Sequence, residues 1–149
     1  MPAELIPAAR DLIASSALGH VVTLNPDGSP QVSCVWVGFD DVTGNGHPDE
    51  ICFASLSEYQ KIKNLRRDPR VTVSIESGEA PNQWGLIPYL VLHGTARITE
   101  GGGPAVLQRF AHTYLGPDAV FPPMDEPPGG FVVRIAIDKV GGVGPWTGS

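Results

Sequence analysis

One string carries most of the side chains able to do chemistry: ICFASLSEYQKIKNLRRDPRV, from Ile51 to Val71. It reads as a strand, a short connection, a basic helix and the start of another strand. The free amides at a helix N-terminus and the positive end of its dipole attract a phosphate. Ser57 and Gln60 have the spacing of a capping box, with Ser57 at the N-cap and Gln60 three residues on. Lys61, placed one turn in, adds a compact positive charge, and Ser55 and Ser57 add hydroxyls. The same residues are also compatible with a solvated basic helix face. Arg66, Arg67 and Arg70 fit that second reading better, because Arg-Asp-Pro-Arg can close the helix through local ion pairs.

Other candidates are weaker. The four histidines, His20, His47, His93 and His112, are scattered. His47, Asp49 and Glu50 share a loop and offer at most a weak metal site. No Ser-His-Asp pattern stands out. Gly101-Gly102-Gly103 lacks the spacing of a dinucleotide loop. Trp36, Trp84 and Trp146 read as packing residues. Cys34 and Cys52 lie in apolar, strand-like runs and read as buried thiols acting as small hydrophobes.

Charge distribution narrows the partner. The net charge is −6, yet Lys61 to Arg70 holds five bases against one acid, half the bases of the chain. An acidic protein with one basic segment is a poor general binder of nucleic acid and a better holder of one small anion. With 42% hydrophobic and 17% charged residues in 149, the composition is that of one globular domain spanning 1–149. No apolar run approaches the roughly 20 residues of a membrane span. MPAELIPAARDLIASS lacks a basic segment followed by an apolar core, so a cytoplasmic location is expected.

The elements that must position these groups follow from periodicity and turns. Pro7 to Ser16 reads as a helix with Leu12 and Ile13 on its apolar side. Leu18–Leu24 and Pro30–Phe39 read as strands joined by a hairpin at Asn25-Pro26-Asp27-Gly28. On the second strand Val32, Cys34 and Trp36 share one face, and Gln31, Ser33 and Val35 the other. Asp40 to Glu50 is a loop, and Ile51 to Ser55 a third strand. The basic helix turns Ile62 and Leu65 to the core and stops before Pro69. Val71, Val73 and Ile75 mark a half-buried fourth strand, and Tyr89 to Thr99 a fifth. A helix opened by Gly103-Pro104 has Val106, Leu107, Phe110 and Leu115 as its stripe. After a Pro-rich loop, Phe131, Val133, Ile135 and Ile137 form a sixth strand. Strands joined mostly by turns favour an antiparallel barrel with peripheral helices.

The order of these segments resembles the pyridoxamine 5′-phosphate oxidase-like split-barrel superfamily, above all its actinobacterial flavin/deazaflavin oxidoreductases. The most specific element is K-x-x-N-L-x-x-D-P-R-V, from Lys61 to Val71. The D-G-x-P hairpin and the G-T-A of YLVLHGTARIT support it. The likeness covers roughly Ala17 to Thr99. It implies a mainly β, six-stranded antiparallel split β-barrel that forms a homodimer, with cofactors in grooves between subunits. It further implies that Val32, Ser33, Cys34 and Val35 border the ring system. Ala54 and Ser55 then lie near the ribityl and phosphate portion, with Lys61 on the phosphate and Gln60 beside it. Tyr89 reaches the ring from the partner. Vitamin B6 oxidases carry an arginine where this chain has Gln60, and the ending GGVGPWTGS lacks their substrate-phosphate pattern. The expectation is therefore a reductase using coenzyme F-420, an 8-hydroxy-5-deazaflavin, with a small organic electron acceptor such as a quinone or enone. An FMN-dependent oxidase or reductase and a non-catalytic cofactor-binding protein stand as alternatives. No catalytic side chain is assigned.

Overall fold

The computed structural model describes residues 3–147. Met1, Pro2, Gly148 and Ser149, the tips of the N-terminal stretch and of the GGVGPWTGS ending, lie outside the described residues. Helix α1 (Pro7–Ile13) leads into the hairpin of β1 (Gly19–Leu24) and β2 (Pro30–Val35). Then come β3 (Glu50–Ser55), α2 (Gln60–Arg67), β4 (Arg70–Glu76), β5 (Tyr89–Glu100), α3 (Gly103–Tyr114) and β6 (Phe131–Val143). The six strands form one antiparallel sheet in the order β2-β1-β4-β5-β6-β3, curled into a half-barrel.

Strand alternation builds the interior. Val71, Val73 and Ile75 of β4 are buried, as are Leu90 and Leu92 of β5 and Val133, Ile135 and Ile137 of β6. Ile62 and Leu65 of α2 and Leu12 and Ile13 of α1 plug this interior. Burying such a side chain fully contributes about 1.5–3 kcal/mol, so α2 is held by its apolar pair and not by its end. The sheet bends at a bulge between His93 and Gly94. A Cβ at Gly94 would lie 2.3 Å from the Ala136 carbonyl oxygen, so the close strand contact there excludes a side chain.

A second, smaller core lies on the outer side of β3 and β6, where Cys52 and Val132 pack under Val106 and Phe110 of α3. The loop between β2 and β3 is tied down beside it. Arg134, 1% exposed, donates to Asp40 at 2.6 Å, to Thr43 at 2.9 Å and to Thr99 at 2.5 Å. Its Nε is buried without a partner among the described residues. Three expectations are corrected here. Cys34 is exposed, because its face of β2 carries no covering layer. Leu115 ends α3 as its C-cap and is exposed, one residue beyond the packed stripe. Trp84 is 77% exposed, whereas Trp146 is buried and Trp36 stacks.

Candidate cofactor site

The half-barrel has one seam. Its two edge strands, β2 and β3, meet at Gly38 and Cys52, which exchange N–H···O bonds of 3.1 and 2.7 Å. Beyond this bridge they part. The direction of the free backbone groups follows from the ladder. The Asn25 amide donates to the Ser29 carbonyl, and Leu24 faces Pro30, which has no N–H. The bonded pairs are thus Thr23–Gln31, Val21–Ser33 and Gly19–Val35, and Val32 and Cys34 turn their N–H and C=O to the open edge. On β3, Cys52 bonds across the seam, so Ala54, two residues on, aims its backbone the same way.

An open groove of about 350 Å³ runs along the seam, lined by Cys34, Val35 and Trp36 from the β2 side and Ala54 from β3. Leu18, Leu107 and Phe121 complete its apolar walls. Trp36 stacks on Tyr114 with centroids 5.5 Å apart and meets Phe121 edge-on at 5.2 Å. The Tyr114 hydroxyl accepts the Val37 amide at 3.0 Å and donates to the Ala17 carbonyl at 2.7 Å. This half-buried phenol pins the end of β2 to α3; burial pushes its pKa up. Nothing in the sequence marked Tyr114, since its contacts span 77 and 97 residues.

At the far end of β3 the helix start differs from expectation. The N-cap of α2 is Tyr59, without a side-chain cap, and Ser57 is not the cap. Ser55, 5% exposed, donates to the Ser57 carbonyl at 2.6 Å, and the Tyr59 amide bonds the same carbonyl at 3.0 Å. This tight turn consumes the residues of the expected capping box. Lys61 therefore occupies the second helical position, and the amides of Gln60 and Lys61 precede the first helical hydrogen bond, from Ile62 to Tyr59. The first turn holds no acidic residue.

The charges of the basic segment are mostly satisfied locally. Arg66 pairs with Glu58 at 2.8 Å, Arg67 bonds the Leu24 carbonyl, and Arg70 pairs with Asp68 at 2.7 Å. Asp68 is held down to about 2 by hydrogen bonds from the Arg70 side chain and amide. Lys63 is exposed. Lys61 alone is half-buried, with Nζ 5.0 Å from the Tyr59 ring centroid and no carboxylate partner among the described residues. Burial pushes its pKa down. A partly desolvated ammonium beside free helical amides has the chemistry that attracts an anion.

The remaining candidates fall elsewhere. Gln60 is exposed and donates to Asn64 at 2.8 Å. Ser33 and Val35 occupy the inner face of β2, Val32 and Cys34 the outer. Tyr89 opens β5 opposite Glu76. It is not among the residues that line this groove. In the loop, Asp49 pairs with Arg10 at 2.7 Å and Glu50 with Arg97 at 2.8 Å. No group of three or more His, Cys, Asp or Glu among the described residues is placed to hold a metal. Cys52 is pushed up to about 12 by burial and is inert.

The fold that carries this seam has counterparts among known proteins. The pyridoxamine 5′-phosphate oxidase family model matches residues 5–144. The chain belongs to that family. Its members are generally flavin-dependent oxidoreductases, and the fold binds flavins. Among solved structures, this family member is similar to an F420 reductase, with 23% identity, a TM-score of 0.67 and 89% of this chain and 94% of that one covered. It is similar to a conserved hypothetical protein of Mycobacterium tuberculosis at 25% identity and a TM-score of 0.68, covering 95% and 86%. A putative pyridoxamine 5′-phosphate oxidase of Lactobacillus delbrueckii matches at 19% identity and 0.60, covering 93% of both chains. No helix among the described residues is long and apolar enough to cross a membrane.

Proposed function

We propose that this protein is an oxidoreductase that binds coenzyme F-420 along the seam between β2 and β3 and passes a hydride to a small organic acceptor such as a quinone or enone. The observation that carries this reading is Lys61, a half-buried ammonium with no protein counter-ion among the described residues, at the second position of the helix that follows β3, one edge of the seam. Lys61 and the amides beside it hold the phosphate, with Gln60 at its flank. Ala54 and Ser55 border the ribityl chain. Val32, Ser33, Cys34 and Val35 border the ring, offering the backbone groups of Val32 and Cys34 to its polar edge. A second copy of the chain completes the groove and brings Tyr89, whose hydroxyl or solvent supplies the balancing proton.

A bound deazaflavin supplies two-electron hydride chemistry with little reactivity toward oxygen, and the protein supplies position and electrostatics. The apolar walls around Trp36 suit a flat aromatic ring and exclude water from it. FMN is the second reading, favoured by the general habit of the family. Gln60 in place of an arginine speaks against pyridoxamine-phosphate oxidation. The test is titration of the purified protein with F-420 and with FMN, followed by turnover of the reduced cofactor. Tight F-420 binding, and its oxidation by a quinone or enone without oxygen consumption, is expected. A yellow protein carrying FMN, active with NADPH while F-420 is inert, would replace this reading by the second.

A further inference from the structure

Asn64 is a polar residue with no solvent exposure on the buried side of α2, between Ile62 and Leu65. Its amide links the helix to the β1–β2 hairpin. Asn64 Oδ1 accepts from Gln60 Nε2 at 2.8 Å, and Nδ2 donates to Thr23 Oγ1 and Asn25 Oδ1, both at 3.0 Å. Thr23, also fully buried, donates to Gln31 Oε1 at 3.1 Å, and Gln31 Nε2 donates to Ser33 Oγ at 3.0 Å. A chain of side chains thus runs from the start of α2 to the edge strand of the seam.

The direction of this chain is not arbitrary. Asn25 Nδ2 donates to Ser29 Oγ at 3.2 Å, and Ser29 donates to Asp27 at 2.5 Å. An ionised carboxylate only accepts, and the bonds from Ser29 hold the Asp27 carboxyl below its usual range. Ser29 must therefore give its proton to Asp27, so Asn25 must turn its NH₂ to Ser29 and its oxygen to Asn64. Asn64 must then offer its NH₂ to the hairpin, where Thr23 Oγ1 accepts from it. Thr23 keeps its own proton for Gln31 Oε1, and Gln31 then turns its Nε2 to Ser33 Oγ. Ser33 Oγ is an acceptor for Gln31, and its proton has no acceptor among the described residues.

We propose that Asn64 is a positioning residue that, through Thr23 and Gln31, presents the Ser33 hydroxyl to the bound cofactor as a hydrogen-bond donor. The inference rests on the reading of the β2–β3 seam as the cofactor site. It adds a polarity to that site: a group facing Ser33 must be an acceptor, as a ring carbonyl or a ribityl or phosphate oxygen is.

The test is a double-mutant cycle read by cofactor binding, not by turnover. Gln31→Glu keeps the size of the side chain but accepts at both ends, so Ser33 turns its proton inward. Ser33→Ala removes that proton. Titrations use FMN and F-420, followed by fluorescence and by the position of the long-wavelength absorption band. Each single variant is expected to weaken the bound probe by roughly three- to tenfold, the range of one neutral hydrogen bond, and to move the band alike. In the Ser33→Ala background, Gln31→Glu should cost little more. Thr23→Val, which stops the chain at its middle, should behave as Gln31→Glu does, and a melt confirms that each variant folds. Multiplying losses in the double variant would overturn the proposal, since the two substitutions would then act independently and the introduced carboxylate merely through its charge. So would a Gln31→Glu variant that binds as the wild type does. A wild-type protein that binds neither probe would instead remove the functional reading, and this inference with it.

Discussion

Gly38 and Cys52 exchange both of their backbone hydrogen bonds across the edge strands, and beyond that bridge the seam opens. The bridge closes one end of the half-barrel while leaving Val32, Cys34 and Ala54 with free backbone groups at the other. Phe110 of α3 lies against Gly38 from outside, where a Cβ would come within 2.9 Å of its ring.

Gly38→Ala is therefore expected to strain the hinge of the seam. Phe110 is 4% exposed and has little room to yield. Overpacking of this kind costs about 1–3 kcal/mol, or about 2–4 °C of melting temperature per kcal/mol in a domain of this size. Calorimetry of the apo-protein measures it. Phe110→Leu in the same chain should recover part of the loss; additive losses would mean that the contact is not the cause.

Lys61→Ala should weaken cofactor binding by roughly ten- to hundredfold, the value of a charge-assisted phosphate contact of about 1.5–3 kcal/mol. Lys63→Ala, exposed and off that face, should do much less. Equal small effects in isothermal titration at physiological salt would move the phosphate elsewhere. The lowered pKa of Lys61 sets a sign as well. Its ammonium is disfavoured by burial in the folded apo-protein, so this penalty is relieved as pH rises through the lowered value toward the ordinary 10.5. Over the same alkaline range, phosphate affinity should fall. Lys61→Met should melt no lower than wild type without cofactor and should lose the alkaline fall in affinity.

Asp40 governs behaviour in acid. Burial raises its pKa, but hydrogen bonds from the Thr43 side chain and amide, from Arg134 and from the Val42 amide outweigh this and hold it at about 2. The carboxylate thus contributes stability that is complete above its ordinary 3.8 and is lost as pH falls toward 2. Asp40→Asn leaves Arg134 charged and buried, and breaking such a pair costs about 3–5 kcal/mol. Denaturant melts at neutral pH should show that loss. A pH series should show a flatter profile between the ordinary 3.8 and about 2 than wild type.

Dimerisation is the fourth expectation. Val32 is 60% exposed and Leu18 46%, beside a groove that one copy leaves open and that Tyr89 of the same chain does not line. Light scattering at micromolar concentration should give about twice the 15.8 kDa chain mass. A monomer that binds cofactor with full affinity would contradict the intersubunit groove.

Much of the architecture was legible along the chain. Alternation at Val71, Val73 and Ile75, the apolar pair Ile62 and Leu65, and the Asn-Pro-Asp-Gly turn each report a local preference that the fold keeps. Lys61 stood out because half the bases fall in one string. Other readings failed where tertiary contacts overrode local ones. Ser57 has the spacing of a cap, yet Ser55 and Tyr59 draw its carbonyl into a turn and shift the helix start. Cys34 lies in an apolar run, but β2 is an edge strand whose outer face stays uncovered.

Local patterning, then, decided where the strands and helices run and which segment is basic, because side-chain periodicity and turn chemistry act over a few residues. Which of those bases stands half-buried and unpaired, however, only the folded structure decided. Glu58, Leu24 and Asp68 satisfy Arg66, Arg67 and Arg70, and burial without a counter-ion among the described residues singles out Lys61. The seam itself, the Tyr114 clamp and the bond from Asn64 to Thr23, 41 residues away in sequence, exist only once the sheet has curled. A hydrogen bond between residues so far apart leaves no periodic trace in the sequence, since nothing local requires it.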